Sequence, residues 1–231
     1  MILYGRNPVR EALRGPRAVH RAWATPSAAR EPWLAGRGAV AVEPRSAEQL
    51  EELCGSSAHQ GVCAEVAAYP YAAAEDLLAH PDPLLIALDE VQDPQNLGSI
   101  CRSAECAGAS GVVVPERRAA EVTPAVCKTS AGAVEHLPLA RVRNLADFLI
   151  DAKARGCWCY GASAESGRSL YDVDLRGGLV LVLGGEGKGL RPRVASACDE
   201  LVGLPLRGRI GSLNVGAAAA IALYEAVRQR T

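Results

Sequence analysis

The chain has 231 residues, enough for one large domain or for a mid-sized domain with a small one beside it. Apolar residues make up 49% and aromatics only 4%, so a well-buried core has to be built from Ala, Val, Leu and Ile. A net charge of −1 does not mark a nucleic-acid binder, and the distribution of charge says more.

In chain order, the apolar run 2–5 leads into a helix with Asn7 as its cap and Pro8 at its first position. From 1 to 37 there are seven Arg (6, 10, 14, 17, 21, 30 and 37) against Glu11 and Glu31. Such a surplus serves phosphate contacts, and it equally suits a solvated helix face. Residues 39–42 fit a strand, Ser46 with Gln49 forms a capping box ahead of 50–53, and 62–68 fit another strand. A linker with about one helical turn follows, ending near Pro83.

From Leu84 the pattern is cleaner. Apolar runs at 84–88, 111–114, 157–162, 179–183 and 200–204 predict strands. Helices are predicted over 98–107, 124–131, 145–155 and 214–228. Short, fully apolar strands alternating with helices mean an α/β domain whose mostly parallel sheet is buried on both faces. The expected division is a domain at 1–70, a linker at 71–82 and a second domain at 83–231.

Eight cysteines (54, 63, 101, 106, 127, 157, 159 and 198) contain no Cys-x-x-Cys pair, and no His falls near Cys157 and Cys159 at ligand spacing. With no signal-like stretch and no run of membrane-span length, the expectation is a reduced, cytoplasmic protein with buried free thiols, no metal and no membrane partner.

Ligands of open parallel sheets bind beyond the carboxyl ends of the strands, and three polar clusters fall at such ends. The first follows Asp89. Asn96 lies in the strand-to-helix loop, and Arg102 follows six residues on in an otherwise small and apolar helix. Taken alone, these fit a helix cap and an exposed face residue. The second is Gly184-Gly-Glu186-Gly-Lys-Gly189-Leu190, whose four glycines within six residues suggest backbone closely approaching a ligand. It is not a P-loop, because the first glycine of that pattern would fall at Val182 and no Ser or Thr follows Lys188. Nor is it a dinucleotide fingerprint, whose third glycine would fall at Leu190. The third cluster runs from Leu204-Pro to Ser212-Leu-Asn214 and opens a helix of very small residues, where Ser212 or Asn214 also serves as a cap.

In this order and spacing, the three clusters resemble the three motifs of the SpoU-type RNA 2'-O-ribose methyltransferases, a branch of the SPOUT (α/β-knot) superfamily. The resemblance covers residues from about 84 to 228. The stretch from Tyr4-Gly-Arg-Asn-Pro-Val-Arg-Glu-Ala-Leu13 to His59-Gln-Gly-Val62 resembles the family's small substrate-binding domain of ribosomal-protein L30e type. That arrangement is similar to the subgroup that methylates a guanosine ribose in bacterial 23S ribosomal RNA. One departure is Gly216, where the family usually has Ser.

The resemblance implies a C-terminal trefoil knot, a homodimer, and S-adenosylmethionine held in the knot largely by backbone groups. Carried over position by position, cofactor contacts fall at Gly184, Leu204 and Leu213, with Leu183 and Gly189 beside them. Arg102 assists the reaction, and Asn96, Glu186, Ser212 and Asn214 orient it and the ribose. The N-terminal domain is expected to grip RNA through phosphate contacts from some of Arg6, Arg10, Arg14 and Arg17. Three other readings stand beside this one. They are the same chemistry on transfer RNA or another ribosomal position (a resistance methylation included), a non-catalytic RNA-binding module, and a dinucleotide-dependent enzyme, which the failed glycine fingerprint disfavours.

Overall fold

The computed structural model describes residues 1–35, 40–185, 187 and 189–231. The chain divides into two compact units, Met1–Pro70 with Glu121–His136, and Tyr71–Ala120 with Leu137–Thr231.

The first unit opens with β1 (Ile2–Tyr4), α1 (Arg6–Ala12), β2 (Val19–Ala24), α2 (Pro32–Ala35), β3 (Val42–Pro44), α3 (Ala47–Cys54) and β4 (Val62–Val66). Its sheet has the order β1-β4-β2-β3, with β4 antiparallel to both neighbours and β3 parallel to β2. The second unit begins with α4 (Ala74–Leu78), β5 (Leu84–Asp89), α5 (Pro94–Cys106) and β6 (Gly111–Pro115). The chain then returns to the first unit for α6 (Pro124–Thr129). It completes the second with β7 (Leu139–Val142), α7 (Leu145–Ala154), β8 (Trp158–Ala162), β9 (Leu179–Gly184), α8 (Pro192–Ala197), β10 (Glu200–Val202) and α9 (Val215–Arg230). No described helix is long and apolar enough to cross a membrane.

Local chemistry explains the boundaries. The capping box forms as read: Ser46 accepts from the Gln49 amide, and the Gln49 side chain accepts from the Ser46 amide. The start of α1 differs from the reading. Gly5, at φ 96°, turns the chain and is the residue before the helix, so Asn7 is not the cap and Pro8 lies within the first turn. A proline is tolerated there because first-turn amides have no intrahelical partner. β3 begins at Val42, and of the expected strand at 39–42, Ala39 lies outside the described residues. Two strands went unread, β2 with His20 and Arg21 inside it and β7 with only four residues, as did the six-residue α8. All eight cysteines are free thiols, but only five are buried: Cys54 and Cys198 are half-buried, and Cys106 is exposed at the last position of α5.

The second unit is built on a six-stranded, wholly parallel sheet of order β10-β8-β9-β5-β6-β7. Every residue of β5 is buried, as is β9 as far as Leu183, which is what a central strand covered on both faces requires. One hydrophobic cluster joins Val113, Val180 and Val182 of the sheet to Phe148 and Leu149 of α7 and Val194 of α8. Elsewhere in the unit, α5 and α9 pack together. α5 buries Leu97, Ile100 and Ala104, and α9 buries Ala219, Leu223 and Ala226. Each large aliphatic side chain so buried contributes about 1.5–3 kcal/mol. The small residues let the two helices approach closely. This places the loops leaving β5, β9 and β10 at the carboxyl edge of one sheet.

Candidate active site

The last residues of β5 and β9 face each other across the central pair, Asp89 opposite Gly184. The loop after β9 is fastened to the end of β5 at both of its ends. At one end the Gly185 amide donates to the Asp89 carbonyl at 2.8 Å. At the other, the fully buried Asp89 carboxylate accepts from the Arg191 amide (2.8 Å), Nε (2.7 Å) and Nη2 (2.6 Å). The Asp89 carboxylate pushes the Arg191 guanidinium up from its ordinary value, against the opposing effect of burial. Between these anchors the loop doubles back, with a bridge from Gly185 to Gly189. A Cβ on Gly184 would lie 2.2 Å from the Gly189 carbonyl carbon, so only glycine fits there. Glu186 belongs to this loop but lies outside the described residues.

The first and third clusters meet directly. Asn214 Nδ2 donates to Asn96 Oδ1 at 2.8 Å. The Asn214 Oδ1 accepts from the Gly216 and Ala217 amides and so caps α9. One side chain thus satisfies a helix end and fixes the amide of Asn96, which is 6% exposed. Asn96 lies in the first turn of α5 rather than in the loop before it, where Asp93 is the cap. Arg102 is exposed further along α5, and its side chain has no hydrogen bond or ion pair among the described residues. Ser212 is also exposed, and the structure does not hydrogen-bond it to Asn96 or Asn214.

The cofactor candidates divide by exposure. Leu183 is buried within β9 and offers backbone only, while Gly184 and Leu204 are partly exposed and Gly189 and Leu213 are exposed. From Leu204 to Leu213 no backbone group is hydrogen-bonded to another described residue. A run of free amides and carbonyls, with Ile210 77% and Leu213 42% exposed beside it, fits a ligand that combines polar edges with apolar surface.

The N-terminal arginines are mostly engaged. Arg6 pairs with Glu31 at 3.1 Å, while Arg10 (2.8 Å) and Arg14 (3.2 Å) share Glu11, which also meets His136. These three remain partly or largely exposed. Arg17 corrects the reading, because its side chain is 1% exposed and closed against Glu135, with Nε donating at 3.0 Å, so it is not offered to a phosphate. Asp89 and Arg191, which fasten the glycine loop, were missed. The available signals were an acid at the end of an apolar strand and an arginine two residues past the glycines.

A model of the SpoU rRNA methylase family matches residues 83–224. The chain belongs to this family. A second model, RNA 2'-O ribose methyltransferase substrate binding, matches residues 2–72. A Bacillus subtilis protein whose name places it in the TrmH family of tRNA/rRNA methyltransferases is 39% identical over 236 residues, covering 98% of this chain and 94% of that protein. The 23S rRNA (guanosine-2'-O-)-methyltransferase RlmB of Xanthomonas campestris is 45% identical over 201 residues, covering 85% and 81%. The crystal structure of the SpoU methyltransferase AviRb from Streptomyces viridochromogenes, in complex with the cofactor AdoMet, superposes with a TM-score of 0.84 at 28% identity, covering 99% and 90%. The fold is therefore the α/β, parallel-sheet fold of SpoU methyltransferases, the partner is RNA and the cofactor is S-adenosylmethionine.

Proposed function

We propose that the chain methylates a ribose 2'-hydroxyl of RNA, and that its target is a guanosine of 23S ribosomal RNA. The observation that carries this reading is the Asn96–Asn214 hydrogen bond, which joins the first and third clusters on the helix that presents Arg102. The RlmB relative supports the choice of target.

S-adenosylmethionine supplies a methyl carbon already activated by a sulfonium. The rest falls to the chain. Backbone groups of Gly184, Leu204 and Leu213, with Leu183 and Gly189 beside them, hold the cofactor. The 2'-oxygen forms the new bond to carbon as the carbon–sulfur bond breaks, and the hydroxyl proton passes to water. A guanidinium stays protonated at neutral pH, so Arg102 acts by binding the adjacent phosphate and stabilising charge on the oxygen, not as a base. Asn96 and Asn214 orient the ribose, with Ser212 and Glu186 completing the set.

The same reading includes a trefoil knot in the second unit, an L30e-like substrate domain over 1–70, a linker over 71–82, a catalytic domain over 83–231 and action in the cytoplasm. It also includes a homodimer, supported by α9, whose outward face carries Ile221 and Tyr224 at 37% and 52% exposure. Arg6, Arg10 and Arg14 contact RNA phosphates after exchanging their carboxylate partners.

The test is incubation of the protein with labelled S-adenosylmethionine and unmodified 23S ribosomal RNA, followed by nuclease mapping. Label on one guanosine 2'-oxygen is expected. Label in transfer RNA alone would move the target, and label on a base would overturn the ribose assignment. Arg102→Ala, folded and cofactor-competent, is expected to lose about 10²-fold or more in kcat, as loss of a preorganised donor does. A rate near wild type would remove Arg102 from the reaction.

A further inference from the structure

Within the second unit a groove of about 970 Å³ opens beyond the ends of β6 and β7. Six arginines line it: Arg117 and Arg118 after β6, Arg141 and Arg143 around the end of β7, and Arg191 and Arg193 at the start of α8. Three carboxylates line it as well, Glu75, Asp147 and Asp151. The arginines are not equally available. Arg191 is held by Asp89, Arg118 meets Glu90 at 3.2 Å, and Arg193 meets Asp147 at 2.8 Å. Arg141 donates to the Glu116 carbonyl and lies over the Tyr71 ring at 5.2 Å. Arg117 and Arg143 are exposed and have no hydrogen bond or ion pair among the described residues.

The groove adjoins the methyl-transfer loops through shared residues. Arg191 is at once a wall of the groove and the anchor of the glycine loop on Asp89. β6, whose end forms another wall, is the neighbour of β5 in the sheet. A strand of RNA whose ribose reaches the loops of β5 and β9 would therefore continue along this edge. Guanidinium groups match phosphate in planar, bidentate fashion, and an arginine stacked on an aromatic ring presents a plane for a base.

We propose that this groove carries the phosphodiester backbone of the RNA strand next to the reacting nucleotide, with Arg117 and Arg143 as its phosphate contacts. The inference rests on the reading of the adjoining loops as a site acting on an RNA ribose. It deepens that reading by giving the catalytic unit its own RNA surface.

The experiment compares the full-length protein with R117Q/R143Q, using unmodified 23S ribosomal RNA as the probe and varying salt. Each phosphate contact to a single strand contributes about 0.7 to the slope of log affinity against log salt, so the double variant should lose about 1.4. Its RNA affinity near physiological salt should fall about tenfold, and the KM for RNA should rise in parallel. R117K/R143K, which keeps the charges, should recover most of the slope, and affinity for S-adenosylmethionine should not change. RNA affinity and slope equal to wild type in R117Q/R143Q would overturn the groove. So would equal losses in the Lys and Gln variants, because charge would then not be what matters. Methyl label on a base would overturn the ribose reading, while the slope comparison would still decide whether the groove binds RNA.

Discussion

In the first unit Arg6, Arg10, Arg14 and Arg17 each meet a carboxylate, whereas in the second Arg117 and Arg143 meet none among the described residues. The N-terminal segment is the denser in arginine, with seven in its first 37 residues, yet the freer cationic surface lies on the parallel-sheet unit. Counting charge along a sequence gives the supply. Only the fold shows how much is neutralised by nearby acids, and how deeply.

Depth is what separates the pairs most sharply. Arg17 and Glu135 are each 1% exposed on their side chains, so Arg17→Met would leave a carboxylate buried without its partner. Burial pushes the Glu135 carboxyl up, and Arg17 is what offsets it. The expected cost is about 3–5 kcal/mol, while R17M/E135L should return close to wild type or above it. Urea unfolding of wild type, R17M and R17M/E135L checks this. A loss below about 1 kcal/mol in R17M would break the contrast between a closed and an open set of arginines.

Asp89 and Arg191 stand between the extremes, the acid fully buried and the arginine's side chain 42% exposed. Because both fasten the glycine loop, the effect of Asp89→Asn is expected in binding. Weakening charge-assisted hydrogen bonds worth about 1.5–3 kcal/mol should lower S-adenosylmethionine affinity about tenfold. Calorimetry on the folded variant tests it, and an unchanged affinity would mean that the loop keeps its shape without Asp89.

How much of this was legible follows the physics of each region. β5 and β9 are continuous apolar runs, and a strand buried on both faces has to be one, so the central sheet was readable. β2 carries exposed His20 and Arg21, and β7 has four residues, so neither presents a run long enough to recognise. The Asn96 and Asn214 clusters were visible because polar residues there interrupt apolar surroundings. Their bond was not, since it spans 118 positions of chain. Arg17 looked like its neighbours because nothing local reveals a partner at position 135.

Gly216 offers an uncharged counterpart, a close approach of α9 to α5. A Cβ there would lie 2.3 Å from Ser99 Oγ, the hydroxyl that donates to the Asn96 carbonyl at 3.0 Å. The space that a serine would need at 216 is therefore already filled by the hydroxyl of Ser99. Gly216→Ala should force Ser99 to rotate and cost about 1–2 kcal/mol, the scale of a small overpacking. S99A/G216A should restore stability, because the clash is gone and alanine favours the helix. Equal costs with and without Ser99 would show that the helices do not approach as closely as this.

The smallest effect should come from an arginine pair at the surface of the same unit. Arg228 donates Nε and Nη2 to Glu225, each at 2.8 Å, and Gln229 adds a third hydrogen bond. These bonds, chiefly the one from Arg228, hold the Glu225 carboxyl at about 2, below its ordinary 4.5. A depressed carboxyl stabilises the fold above its unfolded value and loses that contribution as pH falls from about 4.5 to about 2. Arg228 is 69% exposed, so water already screens the pair and the contribution should stay below about 1 kcal/mol. Acid titration of stability should therefore show a shallow component in wild type that E225Q lacks. If that component instead rivalled the Arg17 pair, burial would not be what ranks these arginines, and the distinction between the two units would have to rest on network geometry.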